Sequence, residues 1–214
     1  LSKATGCKSS RIQFTVDMLP TDILGLTVYH PHKGFYTQKG PIFANFIIAD
    51  EINRAPPKTQ SALLEAMQEK QVTIGGKSYN LEPPFFVMAT QNPIEGEGTY
   101  RLPEAQIDRF LFKLKMHYPE MHEEKKMLKQ NTTLRDFDSF KVKPVVNARQ
   151  IISMQKAVKQ VYLSSEVEDY IVRLVDATRN PKKHDISLGK YIEYGGSPRA
   201  SISLFIASKV QALM

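Results

Sequence analysis

Asp50 and Glu51 are adjacent carboxylates that close the apolar run Phe46-Ile47-Ile48-Ala49. Two acids side by side can divide labour. Asp50 can help hold a Mg²⁺, mostly through its water shell, because magnesium keeps several waters. Glu51 is then free to polarise an attacking water. A second apolar run, Phe85 to Thr90, ends at Gln91-Asn92. Asn92 both donates and accepts, which suits it to orient that water or to sense a terminal phosphate. Phosphoryl transfer asks for positioning of this kind more than for covalent chemistry. Three arginines complete the set. Arg109 follows Asp108 at the end of a short helical stretch, and Arg101 ends the loop before it. Arg199 falls in the first turn of a helix that Ser197 caps and Pro198 opens. A helix N-terminus already favours anions, and an arginine there extends a planar charged fork toward phosphate. The plain alternative for each arginine is a surface salt bridge, and for the acid pair a surface loop.

The elements that must carry these residues are legible in the spacing. Phe46 to Asp50 and Phe85 to Thr90 read as strands buried on both faces, as in a parallel sheet. Ligands of open α/β sheets sit beyond the carboxyl ends of such strands. Leu1 to Ser10 reads as the tail of a helix leaving through Gly6, and Arg11 to Thr15 as a strand. A turn with a short helix follows at Leu19 to Gly25. Leu26 to Pro41 interleaves Tyr29, Phe35 and Tyr36 with His, Pro and Gly, which predicts a projecting hairpin or loop. Pro56-Pro57 opens a helix with Leu63, Leu64 and Met67 on one face. Gln71 to Leu81 predicts a hairpin turning at Gly75-Gly76. A glycine-bearing loop at Glu95 to Tyr100 leads to a short helix from Pro103 to Phe110. Leu111 to Met116 alternates and predicts a third strand. After Pro119 the pattern is helical. Glu120 to Gln130 is charged, Ala148 to Val161 is amphipathic, and a further helix begins with Ser165 and Glu168 at capping-box spacing. The apolar residues of these last helices are expected to be core.

Bulk properties narrow the classes. A chain of 214 residues, 42% hydrophobic and 24% charged, has room for one large or two small domains with a sizeable core. No apolar run reaches the ~18 residues of a membrane span. One cysteine, Cys7, makes no internal disulfide and no zinc site by itself. The 29 Lys+Arg against 22 Asp+Glu leave +7, an invitation to anionic partners that is spread thinly, without a dense basic run. The chain begins at Leu1, has its first methionine at Met18 and ends at Met214 inside an apparent helix. Both ends are therefore expected to be cut from a longer protein.

The segments 40–45 and 49–67, Ala89-Thr90-Gln91-Asn92-Pro93, 102–110 and Ser197-Pro198-Arg199-Ala200 closely resemble the MoxR family of AAA+ ATPases. The resemblance runs over nearly the whole chain. It implies an α/β fold, with a P-loop NTPase-type parallel sheet (the AAA+ core) over residues 1–118 and an incomplete all-helical lid over 119–214. By the same resemblance Asp50 is the magnesium-side acid of the Walker B strand and Glu51 the catalytic glutamate. Asn92 is the sensor-1 polar residue. Arg109 is the arginine finger, completing a neighbouring subunit's site, with Arg101 a second candidate. Arg199 is the sensor-2 arginine. Leu26 to Gly40 and Gln71 to Leu81 match elements associated with handling partner macromolecules. One departure stands out. The G-x-x-x-x-G-K-[ST] loop, whose backbone N–H groups and lysine hold the phosphates, is absent. Gly6-Cys7-Lys8-Ser9 lacks the earlier glycine and lies too near the next strand. The chain as written is expected to bind ATP poorly and hydrolyse almost none. The family implies ATP and Mg²⁺ as cofactors, a cytoplasmic homo-oligomeric ring of six, and chaperone-like remodelling of partner proteins, including ones with von Willebrand A domains. Two alternatives stay open: a DNA-acting ring ATPase, and a non-catalytic nucleotide-binding or interaction module.

Overall fold

A computed structural model of the chain describes residues 1–32, 34–93, 99–131 and 141–214, the side chains of residues 130 and 131 excepted. Its centre is a parallel sheet of β1 (Ser9–Gln13), β4 (Phe46–Asp50) and β7 (Phe86–Ala89), with β4 in the middle. The register pairs Gln13 with Asp50 and Ala49 with Ala89, so the three strands end together. Asn45 fixes the opposite end. Its Oδ1 accepts from the Lys8 N–H at 3.1 Å, and its Nδ2 donates to the Glu82 and Pro84 carbonyls.

Between these strands the chain builds its other layer. Helix α1 (Ser2–Thr5) stops at Gly6, which takes the left-handed conformation at φ 61°. Helix α2 (Pro20–Leu24) leads into the hairpin β2 (Gly25–His30) and β3 (Gly34–Lys39). The base of that hairpin is pinched. A Cβ on Gly25 would overlap the Gln38 carbonyl oxygen, and one on Gly40 would overlap that of Ile23. Helix α3 (Pro57–Glu69) is started by Pro57, whose missing N–H is not needed there. A second hairpin, β5 (Gln71–Ile74) and β6 (Lys77–Asn80), turns at Gly75-Gly76. The two hairpins lean on one another through Thr37 Oγ1 and the Tyr79 hydroxyl, 2.7 Å apart.

The core lies on one side of the sheet. Ile12, Ile47, Ala49 and Val87 meet Phe14, Ile23, Ile42, Ile52, Leu63 and Ala66. The other side differs from expectation. Phe46 and Ile48 are only half-buried, and Phe86 and Met88 are 50% and 47% exposed. These strands are therefore buried on one face rather than two.

The elements that follow among the described residues are helices, among them α4 (Glu104–Ile107), α5 (Met121–Asn131), α6 (Ala148–Gln160), α7 (Ser165–Arg179) and α8 (Pro198–Leu213). α7 and α6 both pack against α8. Three expectations are corrected here. Leu111 to Met116 forms no strand, and Leu114 and Met116 are exposed. Alternation alone does not make a strand: the segment must also pair in a ladder, and among the described residues it pairs with neither outer strand of the β1-β4-β7 sheet. The N-cap of α7 is Ser164, not Ser165, with the Val167 and Glu168 amides donating to its carbonyl. Most apolar residues of α6 and α7 are not core. Ile171 and Val175 are buried, while Met154, Val167, Tyr170 and Leu174 are exposed. The glycine-bearing loop expected from Glu95 lies mostly in residues 94–98, outside the described residues.

Candidate functional site

The chain leaves β4 sharply. Asp50 is the last strand residue, and Glu51 turns into the left-handed region at φ 54°, ψ 49°. That conformation is costly for a residue with a Cβ. It is held by the neighbouring strand end. The Glu51 N–H donates to Thr90 Oγ1 at 2.9 Å, and the Ile52 N–H to the Thr90 carbonyl at 3.0 Å. The Thr90 hydroxyl in turn donates to Asp50 Oδ1 at 3.2 Å. One threonine thus positions both acids.

Each carboxylate also has a partner from β1. Arg11 Nε donates to Asp50 Oδ2 at 2.6 Å. Gln13 Nε2 donates to Glu51 Oε2 at 3.2 Å, and Arg54 reaches the same oxygen at 3.2 Å. Arg11 and Gln13 share a face because strand side chains alternate with period two. Arg11 is far more open than Asp50, with side-chain exposures of 73% and 15%.

Asn92 sits at the end of the adjacent strand, tied to the same turn. Asn53 Nδ2 donates to the Asn92 carbonyl at 3.0 Å, and the Asn92 N–H to Asn53 Oδ1 at 3.3 Å. Behind this turn Gln60 is buried to 1% exposure. Its Nε2 faces the carbonyls of Ile52, Ala55 and Tyr100 at 3.2, 3.0 and 3.1 Å. Tyr100 also donates its N–H to the Asn53 carbonyl. The loop that carries Arg101 is therefore anchored to the turn that follows Glu51.

The structure thus brings Asp50, Glu51 and Asn92 to one sheet edge. It brings the arginines together differently. Ser197 Oγ donates to Asp108 Oδ2 at 2.5 Å, which joins the turn bearing Arg109 to the start of α8 bearing Arg199. Arg101, Arg109 and Arg199 are all exposed. Among the described residues no hydrogen bond or ion pair links them to Asp50 or Glu51. The Gly6-Cys7-Lys8-Ser9 stretch is no phosphate loop: Gly6 ends a helix and Ser9 opens β1, where a P-loop would open a helix.

The donor set bears on magnesium. Among the described residues no three His, Cys, Asp or Glu side chains cluster to hold a metal. Asp50 supplies one hard carboxylate, with one oxygen on Thr90 and the other on the exposed Arg11 side chain. That fits an ion held largely by water and phosphate oxygens, as magnesium commonly is, and not a cage of protein ligands.

Several of these partners escape a reading of the sequence. Arg11, Gln13 and Thr90 act through register, which depends on which strands are neighbours. Gln60 did leave a signal: it precedes Leu63 and Leu64 by three and four residues, on the apolar face of α3.

Comparison with known proteins agrees with this architecture. Residues 1–112 match the ATPase family associated with various cellular activities (AAA). The chain is 45% identical over 215 residues to YeaC of Bacillus subtilis, covering all of this chain and 64% of that protein. It is 43% identical over 215 residues to the chaperone MoxR1 of Mycobacterium tuberculosis, covering all of this chain and 56% of the relative. The crystal structure of a presumed ATPase from Cytophaga hutchinsonii superposes with a TM-score of 0.87 at 44% identity, over 99% of this chain and 64% of that one. The chain therefore spans less than two thirds of the length of these relatives. Its parallel sheet, acid-bearing central strand and helical C-terminal region make it a member of the AAA ATPase family, of the MoxR type.

Proposed function

We propose that the full protein is a Mg²⁺-dependent ATPase that works as a homo-oligomeric ring, with six subunits the expected number. The observation that carries this reading is the arrangement at the end of β4. Two carboxylates leave the central strand of a parallel sheet, aligned by Thr90, with Asn92 beside them. In this reading Glu51 orients and polarises the attacking water, and Asn92 holds it or the terminal phosphate. Asp50 holds magnesium through water, and the ion neutralises charge on the phosphates. Arg199 contacts the nucleotide of its own subunit. Arg109 reaches a neighbour's site, with Arg101 as the second candidate. Residues 1–118 form the core and 119–214 the lid.

The work done with ATP is the remodelling or activation of partner proteins, those with von Willebrand A domains among them. The chaperone name of the 43%-identical relative supports this. So do the exposed aromatics Tyr29 and Phe35 at the tip of the first hairpin, a surface suited to protein more than to phosphate. No helix among the described residues is long and apolar enough to cross a membrane. We assign the protein to the cytoplasm on the family reading, which fractionation of cells checks.

The test uses the full-length protein. Steady-state ATP turnover is measured with and without Mg²⁺ for the wild type and Glu51→Gln. Turnover that needs magnesium and falls with the substitution is expected. A wild type without ATPase activity, or a Glu51→Gln variant at wild-type rate, overturns the proposal.

A further inference from the structure

The contact between Asp108 and Ser197 joins residues 89 positions apart in the chain. It joins them at a particular place. Asp108 directly precedes Arg109, and Ser197 stands two residues before Arg199. Ser197 Oγ does two things at once. It accepts from the Arg199 N–H at 3.0 Å, which makes it the N-cap of α8, and it donates its proton to the Asp108 carboxylate at 2.5 Å. A hydroxyl bonded to a carboxylate at this distance is of the short, charge-assisted kind. The carboxylate also gains from the positive end of the 16-residue α8.

Both sides of the contact are stiffly held. On one side the Asp108 N–H donates to the Glu104 carbonyl at 2.9 Å and the Arg109 N–H to that of Gln106 at 3.2 Å. On the other, Gly196 is clamped to the end of α7: its N–H donates to Thr178 Oγ1 at 2.8 Å, and its carbonyl accepts from Arg179 Nε. A movement of the α7–α8 corner therefore displaces Ser197, and Asp108 is drawn with it. The guanidinium of neither Arg109 nor Arg199 is tied down by an ion pair among the described residues. Their placement depends on these backbone anchors.

We infer that Asp108 and Ser197 are positioning residues that couple the two arginines, so that the state of the nucleotide under Arg199 sets how Arg109 is presented to the next subunit. The inference rests on the roles proposed above for Arg109 and Arg199. It supplies a route by which one site of a ring reports to another within a single chain.

The test is a double-mutant cycle on the full-length ATPase, with Asp108→Ala, Ser197→Ala, their combination and Ser197→Thr. Melting curves establish folding, and Kd for ATP, kcat and the Hill coefficient for ATP are read. Each alanine variant is expected to keep its Kd within about 3-fold while kcat falls about 10²-fold, the cost of misplacing a reacting group by about 1 Å. The Hill coefficient is expected to move toward one, and the double variant to be no worse than either single. Ser197→Thr keeps the hydroxyl and should restore both kcat and the Hill coefficient. A purely structural contact would lower the melting temperature and leave the Hill coefficient alone. If Asp108→Ala and Ser197→Ala both turn over normally while Arg109→Ala is slow, the coupling is wrong and the function stands. If Arg109→Ala itself turns over normally, the proposed role of Arg109 falls and the coupling with it. Additive losses in the double variant also overturn the coupling. If alanine at either position fails to fold, Asp108→Asn, which keeps an acceptor, is compared with Ser197→Thr, and wild-type cooperativity in Asp108→Asn with loss in Ser197→Thr overturns it.

Discussion

At the scale of single residues, the site is a set of hydrogen-bonding assignments made by a few short side chains. The Thr90 hydroxyl donates to Asp50 and accepts the backbone N–H of Glu51, while Gln13 and Arg54 share one oxygen of Glu51. Replacing Glu51 by Gln preserves shape and removes the base. We expect ATP binding by the full-length protein to persist while turnover falls about 10²–10⁴-fold, the usual contribution of a positioned general base. Calorimetric titration beside a steady-state assay checks both halves. A second residue-scale prediction lies far from the acids. Asp176 in α7 accepts from His184 Nε2 at 2.9 Å, Asn180 at 2.8 Å and Lys183 at 3.2 Å. These bonds, the His184 contact foremost, hold its carboxyl well below the ordinary value of 3.8. A carboxyl with a depressed pKa in the folded state lends stability above its ordinary pKa, and that contribution is lost as pH falls through the folded value. Asp176→Asn should therefore melt below the wild type at pH 7, and the gap should close as both are melted at pH values falling below about 4. A gap that stays constant across that range contradicts the linkage.

At the scale of elements, two features decide whether the site is presented at all. Gln60 of α3 ties the turn after Glu51 to the loop bearing Arg101. Gln60→Leu keeps the volume but strands buried carbonyls, at about 1–3 kcal/mol for a lost buried partner. A fall in denaturant midpoint, with unchanged m-value, is the expected result. The base of the first hairpin allows no side chain at Gly25 or Gly40, and Gly25 also sits at φ 103°. Gly40→Ala must push the chain off the Ile23 carbonyl, an overpacking cost of about 1–3 kcal/mol. Chemical denaturation reads it, and proteolysis of the hairpin is expected to quicken. The elements were largely written in the sequence. The continuous apolar runs ending in Asp50 and in Asn92, Pro57 at the head of α3, Gly75-Gly76 in a hairpin and Ser197 before Pro198 are all local signals with local outcomes. What the sequence concealed is non-local. Leu111 to Met116 has the alternation of a strand but pairs with no strand among the described residues. Met154 and Tyr170 keep helical spacing yet stay exposed, because periodicity marks a face without saying what covers it. Arg11 and Thr90 reach Asp50 only once β1 and β7 flank β4.

At the scale of the whole molecule, the proposed division of the site between subunits makes activity a property of the assembly. Glu51→Gln and Arg109→Ala should each be slow alone. Mixed, they should regain part of the wild-type rate, because some interfaces then pair an intact Glu51 with an intact Arg109. An arginine supplied in trans is worth roughly 10³–10⁵ in rate, so even a minority of such interfaces stands far above background. Turnover should also fall on dilution below the assembly concentration. No gain on mixing would place Arg109 in its own subunit's site. Heat tolerance of the whole molecule carries a different signature of the same site. Glu51 occupies a backbone conformation in which glycine is at ease and glutamate is not. Glu51→Gly should accordingly melt above Glu51→Gln, by about 1 kcal/mol of relieved strain. A library sorted for thermal resistance alone would then enrich glycine at position 51. The winners would be hardier and chemically mute, because sturdiness and chemistry make opposite demands on this one residue.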